Sequence, residues 1–187
     1  MTSPMHEAER FQKIVHPTAL QAQVAEEIVA GPRGKVTGAF EVILHNPALA
    51  SHLQKLGAYL RFETDMPADL RQLAILVAAA HWCSGYEWLA HAEIARRQAL
   101  LPEAVIASLR PGQTPRGLTT DQAAVHSFCV AMHRDGKPTD AEFAAVNALL
   151  GTPGILDLVA VCGYYALLAM AMNAANFPLP EGATPPF

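Results

Sequence analysis

Along most of the 187-residue chain, apolar side chains recur three and four positions apart, and no run of β-branched residues alternates with polar ones in the period of a strand. The pattern predicts an all-α protein. A first helix is expected over roughly Ala19 to Ala30, closed by the breaker AGPRGKVTG, and a short one around Phe40 to His45. Asn46-Pro47 restarts the chain, since Asn caps well and proline is tolerated at the first helical position. Leu53, Leu56, Tyr59 and Leu60 give that helix its apolar face. After Pro67, Leu70, Leu73, Ala74, Val77 and Ala78 mark a helix that must break near Ser84-Gly85, and another runs on to about Ala99.

Beyond Pro102, which opens a short helix, RPGQTPRGL (110–118) reads as a polar loop. Thr119-x-x-Gln122 and Thr139-x-x-Glu142 have the form of capping boxes, so each begins a helix. GTPG then starts a last, strongly apolar helix, whose richest part, Leu158 to Met172, is shorter than the roughly eighteen residues of a membrane span. No membrane association is expected. The proline-rich end NFPLPEGATPPF is expected to be extended and to lie on a neighbouring subunit. The expected division is an N-terminal helical extension (1–35), a helical domain (36–180) and an extended tail (181–187).

Composition adds three constraints. With 51% hydrophobic and only 16% charged residues, the chain is apolar enough to suggest a homo-oligomer: a dimer, trimer or hexamer. A net charge of −4 without a Lys/Arg stripe argues against nucleic acid as a partner. Cys83, Cys129 and Cys162 are far apart and odd in number, which argues against a disulfide framework and suits a reducing cytoplasm, and the acidic N-terminus has no signal-peptide character.

The chemistry is concentrated in HWCSGYEWLAH, His81 to His91. On a helix beginning near Ser84, the side chains of Ser84, Glu87 and His91 share a face, and a carboxylate four residues from an imidazole can exchange a proton with it. Cys83 and Tyr86 stand at the helix entrance, where free N–H groups favour an anion or a thiolate. The competing expectation is structural: Ser84-x-x-Glu87 is itself a capping box, and His91, Cys83, Trp82 and Trp88 are ordinary packing residues. Glu87 and His91 with His81 would make a poor metal site, because HxxxH and HExxH are both absent, so no metal is expected.

The strings QLAILVAAAHWCSGYEWLAHAEIA and LPEAVIASLR, with the lead-in HNPALASHLQKLGAYLRFETDMP and the closing GYYALLAMAMNAANFPLP, resemble the carboxymuconolactone decarboxylase family, whose wider superfamily includes the AhpD-like alkylhydroperoxidases. The resemblance covers roughly Gly38 to Pro180. It implies an oligomeric all-α bundle that works without metal or organic cofactor on a small carboxylated lactone from aromatic-acid breakdown. The peroxidase branch needs a glutamate, a CxxC and a histidine; aligned on His91, this chain has Gln72, Ser84 and Glu87 where the glutamate and the two cysteines would stand.

The first expectation is therefore a cofactor-independent lyase or isomerase. Its proton carrier is His91, oriented by Glu87, with Ser84, Tyr86, His81 and Trp88 about the substrate and His45 closing the pocket. The alternatives are a thiol-dependent hydroperoxide reductase relying on Cys83, and a non-catalytic helical oligomer.

Overall fold

A computed structural model describes residues 9–187, and every structural statement below concerns those residues. Eight helices run in the order α1 (Ala19–Ala30), α2 (Ala39–Ile43), α3 (Pro47–Phe62), α4 (Ala68–His81), α5 (Gly85–Arg97), α6 (Glu103–Ser108), α7 (Thr120–Asp135) and α8 (Asp140–Ala175). No strand interrupts them. The expected starts are set by local chemistry: Thr18, Thr119 and Thr139 each close a reciprocal capping box, and the Asn46 side chain accepts from the Leu49 N–H.

α4 lies at the centre, with α5, α7 and α8 packed on it. Its composition explains the position: every residue from Gln72 to Ala80 is buried, and from Leu73 onward the run is too apolar all round to face water anywhere. Val24 and Ile28 of α1 belong to the same hydrophobic core, and α1 packs on α3, so the expected N-terminal extension is joined to the bundle from Ala19 onward. Residues 1–8 of that extension lie outside the described residues.

α8 is longer than the apolar run that predicts it, because the helix begun at Thr139 and the one begun at GTPG abut at a kink. Gly151 adopts φ 64°, ψ 177° there, and Pro153 supplies no N–H to the helix. By length and composition α8 could cross a membrane, but in this fold it is packed against α2, α3, α4 and α7. The C-terminal tail turns at Glu181-Gly182 and folds back on its own chain: Phe187 meets Trp88 edge-on, with ring centroids 6.2 Å apart, and Leu179 and Pro186 approach Gly85.

Three helices end with a residue in the left-handed region that is not glycine: Cys83 (φ 49°) after α4, Ala99 (φ 50°) after α5 and Asn176 (φ 50°) after α8. At the first, Ser84 N–H donates to Ala79 C=O at 2.9 Å and Cys83 N–H to Ala80 C=O at 3.1 Å, the paired bonds of a Schellman ending. This turn brings α5 back along α4 within three residues, and so fixes the candidate site.

Candidate functional site

The expected capping box at Ser84 and Glu87 does not form. Ser84 is the N-cap residue of α5 but makes no side-chain cap bond. The physical reason lies in the preceding turn, where the Ser84 N–H that a capping carboxylate would accept is already given to Ala79. Glu87 is released to turn inward. Its Oε2 lies 3.5 Å from Nε2 of His91, and both residues are buried, each 6% exposed.

Gln72 on α4 completes the arrangement. Its Nε2 lies 2.6 Å from the His91 backbone carbonyl and 2.9 Å from His91 Nδ1. A carbonyl oxygen only accepts, so the amide must present its NH2 there, and the second hydrogen of that NH2 is left for Nδ1. Nδ1 is therefore the accepting nitrogen, and the imidazole proton sits on Nε2, facing Glu87.

Burial shapes the titration of both groups. It pushes the Glu87 carboxyl up to about 7, against the opposing pull of Arg33 and Arg61. It pushes His91 down to about 3, and the same two arginines lower it further. At neutral pH the imidazole is uncharged while the carboxyl stands near its midpoint. Of the two groups it is the carboxyl whose titration lies near neutrality, while the imidazole is uncharged and carries its proton on Nε2.

Glu87 and His91 open on a cleft of about 350 Å³, with Arg33, Lys35, Arg61 and Arg97 among its walls and Glu93 as the other acid. Four cations against two acids make it suited to an anion. Arg33 is held from two sides: its guanidinium lies 4.4 Å from the Phe40 ring centroid, and its NH2 donates to the Tyr164 hydroxyl at 2.9 Å. Gly57 of α3 makes that bond possible, since a Cβ there would overlap both the Tyr164 hydroxyl and the Arg33 guanidinium. Tyr165 sets its ring edge-on to His91, centroids 5.1 Å apart, and burial raises the hydroxyls of both tyrosines, that of Tyr164 to about 12.

Tyr86 is half-buried, lines the same cleft and is braced edge-on by Phe177 at 5.0 Å. The remaining expected residues stand elsewhere. Cys83 and Ser84 line a separate recess with Asn173, Phe177 and the tail, with no second cysteine and no histidine in its walls. His45 is exposed, meets Phe11 at 5.5 Å and borders another depression. His81 stacks on His133 at 5.2 Å, and Trp88 is a packing residue whose Nε1 donates to Leu109 C=O, with Arg110 over its ring at 4.6 Å. No group of three or more His, Cys, Asp or Glu among the described residues could hold a metal ion.

Arg33, Arg61, Tyr164 and Tyr165 were not signalled by the sequence. Arg33 sits in a segment that reads only as a helix breaker, and the tyrosines sit in a run that reads only as core. The chain matches no family model, and no curated protein matches it.

Proposed function

We propose that this protein is a lyase or isomerase of the carboxymuconolactone decarboxylase kind, using acid-base chemistry on a small carboxylated lactone or a related ring-cleavage product. One observation carries the reading: a buried carboxyl poised near neutrality beside an uncharged imidazole, in a cleft walled by Arg33 and Arg61. Arg33 and Arg61 hold the carboxylate of the substrate. As carbon dioxide leaves, the electron pair of the broken C–C bond spreads onto the ring carbonyl, where the His91 Nε2–H stabilises the oxyanion. Glu87, as its acid, gives the proton to carbon and is reprotonated from water. In an isomerisation the same carboxyl, as its base, removes a ring proton and returns it at another carbon.

The bundle is proposed to be AhpD-like and to assemble with copies of itself in a reducing, cytoplasmic setting. Supporting assembly, Leu56, Tyr59 and Phe62 of α3 and Leu156 of α8 are exposed, and the Tyr59 hydroxyl bonds Asp157 beside Leu156 at 2.9 Å. Light scattering in solution reads the assembly directly.

The catalytic test is loss of carboxymuconolactone absorbance with release of carbon dioxide, for wild type, Glu87→Gln and His91→Ala. Turnover in the wild type that falls by roughly 10²- to 10⁴-fold in Glu87→Gln supports the assignment. Undiminished turnover in that variant overturns it.

A further inference from the structure

The sulfurs of Cys129 on α7 and Cys162 on α8 lie 3.5 Å apart in the core, although 33 positions separate them in the chain. His133 stands four residues after Cys129 on the same face of α7, close to Cys162. Its Nε2 is buried and makes no hydrogen bond. From α4, His81 stacks on its ring, 5.2 Å between centroids and 23° between planes, which fixes the imidazole beside the thiols. None of these four residues lines the Glu87–His91 cleft.

The two thiols are not equivalent. Cys129 is fully enclosed, whereas Cys162 keeps 4% exposure and is the less enclosed of the two. The hydrogen bond shared by the two sulfurs, with His133 close by, lowers the Cys162 thiol and raises that of Cys129. The less enclosed sulfur is thus the one favoured as thiolate.

We propose that Cys129 and Cys162 form a redox-active dithiol, positioned by His133, that a hydroperoxide closes to a disulfide between α7 and α8 and that a dithiol reductant reopens. The Cys162 thiolate attacks the peroxide: an S–O bond forms, the O–O bond breaks, and the departing alkoxide or hydroxide takes up a proton. The Cys129 sulfur then attacks the sulfenic sulfur. An S–S bond forms, the S–O bond breaks, and the hydroxide leaves as water with the proton Cys129 carried. In sum, two thiols and one hydroperoxide give a disulfide, an alcohol (or water) and water. Closure asks the sulfurs to approach by about 1.5 Å, within reach of side-chain rotation across packed helices. Being separate from the Glu87 cleft, this site does not depend on the lyase reading.

The test uses the full chain with Cys83→Ser, so that only the two core thiols remain. The folded protein is treated with a stoichiometric amount of hydrogen peroxide, unfolded and alkylated, and digested without reduction. The expected result is joint loss of both thiols, a cross-linked Cys129–Cys162 peptide two hydrogens lighter, and recovery of both thiols with dithiothreitol. A Cys129→Ser change added to this background should leave a sulfenic acid trappable by dimedone at Cys162. His133→Gln should slow the first step about tenfold near neutrality and progressively less as the pH rises toward the free-thiol range, a pH profile that a packing defect would not produce. Two freely alkylated thiols after peroxide, or oxidation of Cys162 to the sulfinic acid without cross-linking, would overturn the proposal.

Discussion

One side chain of α4, Gln72, donates both of its amide hydrogens to His91, one to the backbone carbonyl and one to Nδ1. The first bond fixes which end of the amide faces the histidine, and the second fixes the tautomer. Gln72→Met, of similar length but without donors, should therefore leave the bundle folded and free the ring. Nitrogen NMR of the imidazole should change from one tautomer, protonated at Nε2, to a mixture. Turnover should fall by roughly 10- to 100-fold, as for other small misplacements of a reacting group. A single unchanged tautomer in the variant would show that packing against Tyr165 alone orients the ring.

The buried pair makes stability depend on pH in two opposed windows. Glu87 holds its proton in the folded state up to about 7 but loses it near 4.5 when unfolded, so its contribution falls as pH rises from 4.5 to 7. His91 is uncharged when folded down to about 3 but protonated below 6.5 when unfolded, so its contribution falls as pH drops from 6.5 to 3. Between 4.5 and 6.5 the two slopes cancel and stability is level. Below that plateau stability should drop by about 2 kcal/mol toward pH 3, and above it by less than about 1 kcal/mol toward pH 7. Denaturant titrations from pH 3 to 7 check the shape. Glu87→Gln should replace the plateau by a rise that continues to 6.5, because the histidine then acts alone.

Gly57 is a packing requirement of the cleft. Gly57→Ala places a methyl group where Tyr164 and Arg33 meet, and should cost about 1 to 3 kcal/mol in unfolding free energy. Because the guanidinium is displaced, the Michaelis constant for an anionic substrate should rise together with the loss of stability. Lys55, exposed on the same helix, serves as a reference: Lys55→Ala should leave substrate binding unchanged.

Ala99 adopts φ 50° at the end of α5, where its Cβ crowds the backbone. Ala99→Gly removes that crowding but adds freedom to the unfolded chain, and the net expectation is a gain of up to about 1 kcal/mol. Thermal unfolding measures it, and a lower melting temperature in the variant would contradict the left-handed geometry at this turn.

Several helices were legible because their starts are local: Thr119 and Thr139 announce themselves by Gln122 and Glu142 three positions on, and Asn46 by the proline that follows it. The Glu87–His91 proximity was legible for the same reason, being a relation of four residues along one helix. What spacing cannot reveal is competition between partners. Ser84-x-x-Glu87 has the form of a cap, and only the bond from Ser84 N–H to Ala79, set by a cysteine in the left-handed region, leaves the carboxylate free. Gln72, Arg33 and Cys162 meet their partners across 19, 131 and 33 positions respectively, distances over which no periodicity carries information.

The break at Gly151 divides α8 into lengths that need not open together. No continuous ladder of helical geometry links the stretch from Asp140 to Leu150 with the segment that carries Tyr164, Tyr165 and Cys162. The first segment buries only Val146, while the second buries residues along its whole length. Amide hydrogens before the break should exchange with solvent through local fraying, and those after it only when the whole molecule unfolds. A single helix by outline, α8 should open as two units, and the residues it lends to both candidate sites lie in the more deeply buried one.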